Sequence, residues 1–475
     1  MSFPCQKFTI MGNFKKELTK MGFTDNVVRS RILEFVKFEC KHWNESQIVQ
    51  LLQDIAEHPE NYKKHTNPRW QGLAELLSPT EETVQQYGLL DSPLPYAVFG
   101  RDSIDSLAVR QMDTAMRLPV TVGGALMPDA HAGYGLPVGG VLATKGVVLP
   151  YAVGLDIGCR MSLTILDGSA RLIDSQHERM VQALWDNTAF GMEGVLPFSV
   201  HHPVLDRKEF QSIPVLKKLR DKAKRQLGSS GGGNHFVDIC SVQIPTANPL
   251  GLAEGDYTAI LSHSGSRGLG AAIAEHFTAI AKEKCRLPRE AGPFAWLDLN
   301  TEEGEMYWRC MEIAGEYAAA CHEVINRYVA QGLRLKPLCT ISHHHNFAWR
   351  ETLPDGSAAI VHRKGATPAH KDELGIIPGS MCEAGYIVKG KGCEEALSSA
   401  NHGAGRALSR LDARNSISRH ALRKQLEESG VTLLGGTTEE APGAYKPMRE
   451  VMAAAQPLVE IVGTIRPRIV RMNKE

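Results

Sequence analysis

Five short islands, four of them bearing glycine and each carrying side chains able to bind a metal or a phosphate, punctuate this chain. They are Asp156-Ile-Gly-Cys159, Gly231-Gly-Gly-Asn-His-Phe236, His263-Ser-Gly-Ser-Arg267, His343-His-His-Asn346 and Asn401-His-Gly-Ala-Gly-Arg406. Glycine frees the backbone to turn with positive φ and lets N–H groups approach an anion closely. Islands this far apart in sequence can share a site only if a large, non-repetitive core carries their loops to one place. The intervening sequence is suited to that. Val120–Met127, Val138–Ala143, Met161–Leu166, Phe236–Val242, Tyr257–Leu261 and Leu338–Ser342 read as strands. Arg171–Asn187, Lys208–Leu227, Ala271–Lys284, Glu305–Ala330, Ala396–Leu408 and Ser418–Glu428 read as helices. The two kinds mix without a regular βαβ beat, so the expected class is mixed α/β (α+β), with central sheets flanked by helices.

Composition changes near residue 95. Before it the chain is charged and poor in glycine, with apolar residues at helical spacing over Phe14–Met21, Thr24–Cys40 and Ser46–Ala56. Thr24 and Asn44 or Ser46 are candidate N-caps, Pro59 is a candidate stop, Asn61–Pro68 reads as a polar linker and Trp70–Leu77 as a short helix. Residues 1–95 therefore read as a helical region of unknown function, and 96–475 as the body that holds the chemistry.

The 475 residues carry 53 Lys plus Arg against 53 Asp plus Glu, which excludes binding to nucleic acid by bulk charge and leaves room for a local basic groove. The basic stretches Arg207–Arg225 and Arg466–Arg471 are candidates for one, although solvated faces are the commoner origin of such runs. The longest apolar region, near 118–155, is broken by Asp129, His131 and Lys145, so no membrane span is expected. The N-terminus lacks the charged-then-apolar order of a signal peptide, and ten cysteines without a Cys-x-x-Cys pair fit a reducing compartment. The expected location is cytoplasmic.

Asp156 and Cys159 can put a carboxylate and a thiolate on one ion, and His235, His263 and His345 add imidazoles. That oxygen, sulfur and nitrogen set suits Mn²⁺, Fe²⁺, Co²⁺ or Zn²⁺. Taken singly, each of these residues is as readily a turn or core residue, and spacing alone leaves the question open. The chain has no Gly-x-x-x-x-Gly-Lys-Ser/Thr phosphate loop and no Lys-x-Asp-Gly ligase nucleophile. His402, in its glycine-flanked island, is then a candidate nucleophile toward phosphorus, at what reads as a helix start. A histidine capping its own helix is the competing reading.

Taken together, the islands resemble the RtcB-type RNA-splicing ligases, the GTP- and manganese-dependent 3′-phosphate ligases. The resemblance runs from Gln111 to the C-terminus through MPDAHAGYGLPVGG at 127–140, VGLDIGC at 153–159, GGGNHF at 231–236 and HSGSRGLG at 263–270. It continues through HHNFAWRE at 344–351, HRKGATPA at 362–369, PGSM at 378–381, NHGAGRALSR at 401–410 and EAPGAYK at 440–446. It implies two Mn²⁺ ions on Asp156, Cys159, His235, His263 and His345. It implies a nucleotide held by Asn234, Asp238, Asn346, Pro378, Gly379, Ser380, Met381, Gly403, Ala404, Gly405 and Tyr445, with His402 as the residue guanylylated by GTP. The implied substrates are RNA 3′-phosphate or 2′,3′-cyclic phosphate ends and 5′-hydroxyl ends, with DNA 3′-phosphate ends as a further candidate.

This chain departs from the family pattern in four places. Arg160 follows Cys159 where the family usually has glycine, Cys382-Glu383-Ala384-Gly385 follow the PGSM loop, and Asp238 stands where many members have glutamate. The terminal Val-Lys-Gly is replaced by Arg471-Met472-Asn473, with Arg471 as the candidate donor to the guanine carbonyl. The expected function is RNA ligation through a histidine–GMP intermediate. The alternatives are an enzyme that guanylylates 3′-phosphates without efficient ligation, and a metal-bound nucleic-acid-binding protein without activity.

Overall fold

The computed structural model describes residues 18, 21, 23, 26–77 and 85–474. The chain forms two compact units, Met1–Thr83 and Val84–Glu475. Apart from Leu18 and Met21, the segment expected to form the first helix lies outside the described residues, as does the Thr24 cap.

In the smaller unit, helices Asn26–Glu39, Glu45–Glu57 and Pro68–Leu77 bury Ile32, Phe35, Leu52, Ile55 and Ala74 against one another. Asn44 caps the second helix in a reciprocal box with Gln47. The linker expected over Asn61–Pro68 instead begins as a helical turn, Glu60–Lys63, because Pro59 already holds helical dihedrals (φ −61°, ψ −29°).

The larger unit begins twelve residues before the composition boundary. Gln85–Gln86 pairs in parallel with Cys285–Arg286, and the N–H groups of Leu90 and Leu94 donate to the carbonyls of Arg117 and Met116. These long-range backbone bonds tie residues 85–95 to the larger unit, and local composition does not record them.

The fold is mixed α/β. Its main sheet runs Pro337–His344, Arg160–Ser169, Gly255–Ser264, Phe236–Ile244, Val459–Met472, Gly385–Gly390 and Leu374–Ile377, with Thr432–Leu434 added beside Val459–Met472. The two end strands curl toward each other: the Ile376 N–H donates to His343 Nε2 at 2.8 Å. Alternation sorts the faces. Met161, Leu163, Ile165, Cys240, Val242, Leu261 and Ile465 fill the concave side. Leu166, Val237, Ile239 and Ile260 meet helices His177–Asn187 and Glu302–Leu333 on the convex side. A second sheet runs Asn346–Thr352, Ala358–Lys364, Val138–Thr144, Thr121–His131 and Ala97–Val98. Its strands are joined to the first sheet through His345, the single residue between Pro337–His344 and Asn346–Thr352.

Several expected helices are altered by identifiable residues. Arg171–Asn187 breaks at Gln176, and Lys208–Leu227 breaks where Pro214 starts a new helix, Pro214–Gln226. Ala396–Leu408 is not a helix. Leu397 and Ser398 take left-handed φ, and Ser399–Asn401 becomes a strand paired with Ala366–Pro368. His402 therefore follows a strand instead of opening a helix. No helix among the described residues is long and apolar enough to cross a membrane.

Candidate active site

Antiparallel pairing brings the start of one strand beside the end of the next, and this is how the islands meet. Asp156 and Cys159 precede strand Arg160–Ser169, His235 precedes Phe236–Ile244, and His263 lies near the end of Gly255–Ser264, opposite both Met161 and Phe236. Apart from Arg471, all the metal, nucleotide and catalytic candidates named from the sequence border one cleft of about 310 Å³.

At its floor Cys159 Sγ lies 3.4 Å from His235 Nε2 and 3.3 Å from His263 Nε2. His263 Nε2 is 3.2 Å from His345 Nε2, and His235 Nε2 is 3.1 Å from Asp156 Oδ2. Two triads result, Cys159–His263–His345 and Asp156–Cys159–His235, which share the sulfur. His263 Nδ1 donates to the Asn234 carbonyl at 3.0 Å, so its Nε2 carries the lone pair that faces the cluster. Burial first, then neighbouring imidazoles, hold His263 and His345 well below the ordinary histidine range and hence neutral. Burial pushes the Cys159 thiol up, and the Asp156 carboxylate adds to that. Burial also opposes ionisation of Asp156, but the hydrogen bond and charge of His235 outweigh it and leave the carboxyl below its usual value. The neutral imidazole lone pairs of His263 and His345, with His235, a thiol and a carboxylate beside them, form a donor set that fits a divalent cation. Gly265 makes room for the Asp156 carboxylate, since a Cβ there would sit 2.0 Å from Asp156 Oδ1.

His402 stands beside this cluster, its ring centroid 5.0 Å from that of His345. Its Nδ1 is 2.6 Å from Oδ2 of Asp129, a fully buried carboxylate that also accepts the backbone N–H groups of His402 and Gly403. A carboxylate only accepts, so Nδ1 bears the proton and Nε2 is left with a free lone pair. Gly405 is required here: its φ is +75°, and a Cβ would approach the Asp129 carbonyl oxygen to 2.1 Å. Lys446 braces the same strand, donating to the carbonyls of Pro128 and Ala130.

The nucleotide candidates occupy the cleft in different ways. Asp238 is 3 % exposed with Oδ1 unpartnered, and burial raises its carboxyl well above the ordinary value. Asn346 is engaged in the scaffold, accepting from the Gly365 N–H and donating to the Asp156 carbonyl. Ser380 Oγ donates to Glu383, and the Tyr445 hydroxyl donates to Glu440. Arg471 departs from expectation: its guanidinium stacks 3.9 Å over Trp185 and donates to the carbonyls of Leu434 and Met472, away from the cleft. Met472 lines the cleft instead. A bulge at Pro467, which has no N–H to give the ladder, shifts the pairing and sets which residue faces inward.

Sequence reasoning missed Asp129, His131, Lys364, Arg406, Arg410 and Glu440, all of which line the cleft or hold its lining. Asp129 and His131 lie in the MPDAHAGYG segment, so glycine clustering marked the region without singling out the acid. Arg406 donates to Glu440 at 3.1 Å, and Lys364 is pushed down to about 8 by burial.

Comparison with known proteins identifies the family. The profile of the family described as "tRNA-splicing ligase RtcB" matches residues 111–213 and 206–473. The chain is 31 % identical over 376 residues to the RNA-splicing ligase RtcB of Escherichia coli K12, covering 72 % of this chain and 88 % of the relative. It is 33 % identical over 399 residues to the RNA-splicing ligase RtcB of Mycobacterium tuberculosis, covering 69 % and 91 %. To the tRNA-splicing ligase RtcB of Thermococcus kodakarensis it is 29 % identical over 416 residues, covering 72 % and 86 %. The chain belongs to the tRNA-splicing ligase RtcB family, a family of RNA ligases.

Proposed function

We propose that this RtcB-family RNA ligase joins RNA 3′-phosphate or 2′,3′-cyclic phosphate ends to 5′-hydroxyl ends through GMP carried on His402. The observation that carries the reading is the bond from His402 Nδ1 to buried Asp129, which leaves Nε2 free as a nucleophile beside a metal-capable cluster.

In this reading His402 Nε2 attacks the α-phosphorus of GTP; the new N–P bond forms as the bond to pyrophosphate breaks. Asp129 stabilises the positive charge that develops on the imidazole and keeps the proton on Nδ1. An RNA 3′-phosphate oxygen then attacks the same phosphorus, the N–P bond breaks, and GMP is left on the RNA end as a good leaving group. A 5′-hydroxyl finally attacks the RNA phosphorus, GMP departs, and the released proton goes to solvent or a nearby base. A 2′,3′-cyclic end is first hydrolysed to the 3′-phosphate.

The two triads sharing Cys159 would hold two divalent ions, Mn²⁺ being favoured over Mg²⁺ by the sulfur donor, and these supply charge neutralisation at the phosphates. Buried Asp238, with an unpartnered oxygen, is the acceptor for the N–H donors of the guanine edge. Arg406, Arg410 and Lys364 supply positive charge along the cleft. The absence of paired cysteines among the described residues agrees with a cytoplasmic location.

The test is incubation with Mn²⁺ and α-labelled GTP, followed by RNA bearing a 3′-phosphate, with and without a 5′-hydroxyl partner, and a parallel DNA arm. Protein-bound label and joined RNA are expected. GMP accumulating on 3′ ends without joining would favour the end-capping alternative, and no label on the protein would refute the reading.

A further inference from the structure

The outward face of strand Arg160–Ser169 carries Arg160, Ser162 and Thr164 where a helix covers the sheet, a position that ordinarily takes apolar residues. Met161, Leu163 and Ile165 take the opposite, concave side. Part of this polar face is accounted for. Asn326 of helix Glu302–Leu333 donates to the hydroxyls of Ser162 and Thr164, while Ser262 bonds both Asn326 and His322. Thr164 also meets Thr340 of the edge strand at 3.0 Å.

Arg160 is not accounted for. It is 9 % exposed, its Nε is buried without a partner, and its guanidinium makes no hydrogen bond or ion pair among the described residues. Glu323 attracts it through space without forming an ion pair, and a guanidinium withdrawn from water without a hydrogen-bonded partner is costly and is retained only where something compensates it. Arg160 lines a cleft of about 580 Å³ between the helix and strand Pro337–His344, separate from the one holding His402. The rim adds Arg327 and Lys336, both exposed. Glu323, the acid on the rim, is bound to His202 at 3.1 Å. Three cations thus face one exposed acid, Glu323, with hydroxyls of Ser162, Thr340 and Ser342 nearby.

We propose that this cleft is a second binding site, for a phosphate-class oxyanion seated on Arg160, either as free phosphate or as the phosphoryl group of a small molecule. Arg160 supplies a fork of N–H donors from below, and Arg327 and Lys336 close the charge from the rim. The site lies on the opposite face of the strand from the concave core and does not depend on the reaction assigned to His402.

Calorimetric titration of the full-length protein with inorganic phosphate, and separately with ribose 5-phosphate, tests this. Arg160→Met is expected to weaken one class of site by about tenfold or more, the loss of a charged hydrogen-bond donor. Arg327→Ala, an exposed change that does not threaten the fold, is expected to weaken the same site several-fold. Arg410→Ala in the other cleft is expected to leave it unchanged. Tighter binding of ribose 5-phosphate than of phosphate identifies a phosphorylated small molecule, and equal binding identifies the free oxyanion. Wild-type titration curves for both Arg160→Met and Arg327→Ala, or wild-type affinity at this site in Arg327→Ala alone, would overturn the proposal.

Discussion

His402 and Asp129, 273 residues apart in the chain, are joined by a 2.6 Å contact between Nδ1 and a carboxylate oxygen that is fully buried. The acid fixes the tautomer of the imidazole and, through two backbone N–H groups, the loop that carries it. Asp129→Asn offers an amide that can donate to Nδ1 and so move the proton to Nε2. Labelling of the protein by GTP is expected to slow by about 10²-fold or more, and His402→Ala is expected to abolish it. Single-turnover labelling of folded variants decides this; an Asp129→Asn rate close to wild type would remove the acid from the role.

Cys159 belongs to both metal-capable triads, whereas Cys240 lies in the concave core. Cobalt provides the readout, because a thiolate ligand gives a charge-transfer band in the near ultraviolet. That band is expected in wild type and Cys240→Ser and absent in Cys159→Ser, which should also need more Mn²⁺ for activity. Chelation with EDTA should remove activity, and Mn²⁺ should restore it. A cobalt band that survives Cys159→Ser would place the sulfur ligand elsewhere.

Base selectivity is expected to follow the residues that face the cleft. Asp238→Asn keeps the shape but presents an amide to the guanine edge, and the GTP preference over ATP should narrow by about tenfold or more. Arg471→Met should leave the preference unchanged, because that guanidinium is spent on Trp185 and backbone carbonyls. Met472→Lys places an ammonium on the inward face and should widen the preference. Nucleotidylation rates with the two nucleotides check all three, and a large change in Arg471→Met would contradict the orientation.

Lys364 lines the same cleft, and burial lowers its ammonium to about 8. It is charged below that pH and neutral above it, so a contact with nucleotide phosphate weakens as pH rises. The KM for GTP should climb between about pH 7 and 9 in wild type and stay flatter in Lys364→Arg, which remains protonated throughout. Identical profiles would exclude Lys364 from phosphate binding.

Arg363 is fully buried, bidentate to Glu351, and also donates to Ser399, three residues before His402. Glu351→Ala leaves that charge without its counter-ion and should cost about 3–5 kcal/mol. Urea unfolding measures it, and a midpoint near wild type would show that Ser399 and the Leu397 carbonyl are sufficient partners.

The sequence by itself determined the chemistry of the candidate site. Short islands bearing Asp156, Cys159, His235, His263, His345 and His402 were legible because each island is a local property of composition and spacing. The strand signal over Met161–Leu166 was equally local. Tertiary structure decided which groups act on one another. Asp129 reads as an interruption of an apolar run until strand Thr121–His131 sets it beneath His402. Residues 399–401 read as helix until pairing with 366–368 makes them a strand. Arg471 and Met472 exchange faces according to a bulge four residues upstream of Arg471. In each case the deciding interaction is a hydrogen bond or a register between segments distant in the chain. Local propensity carries no record of either, because the partner that satisfies the backbone or the carboxylate exists only once the sheets have formed.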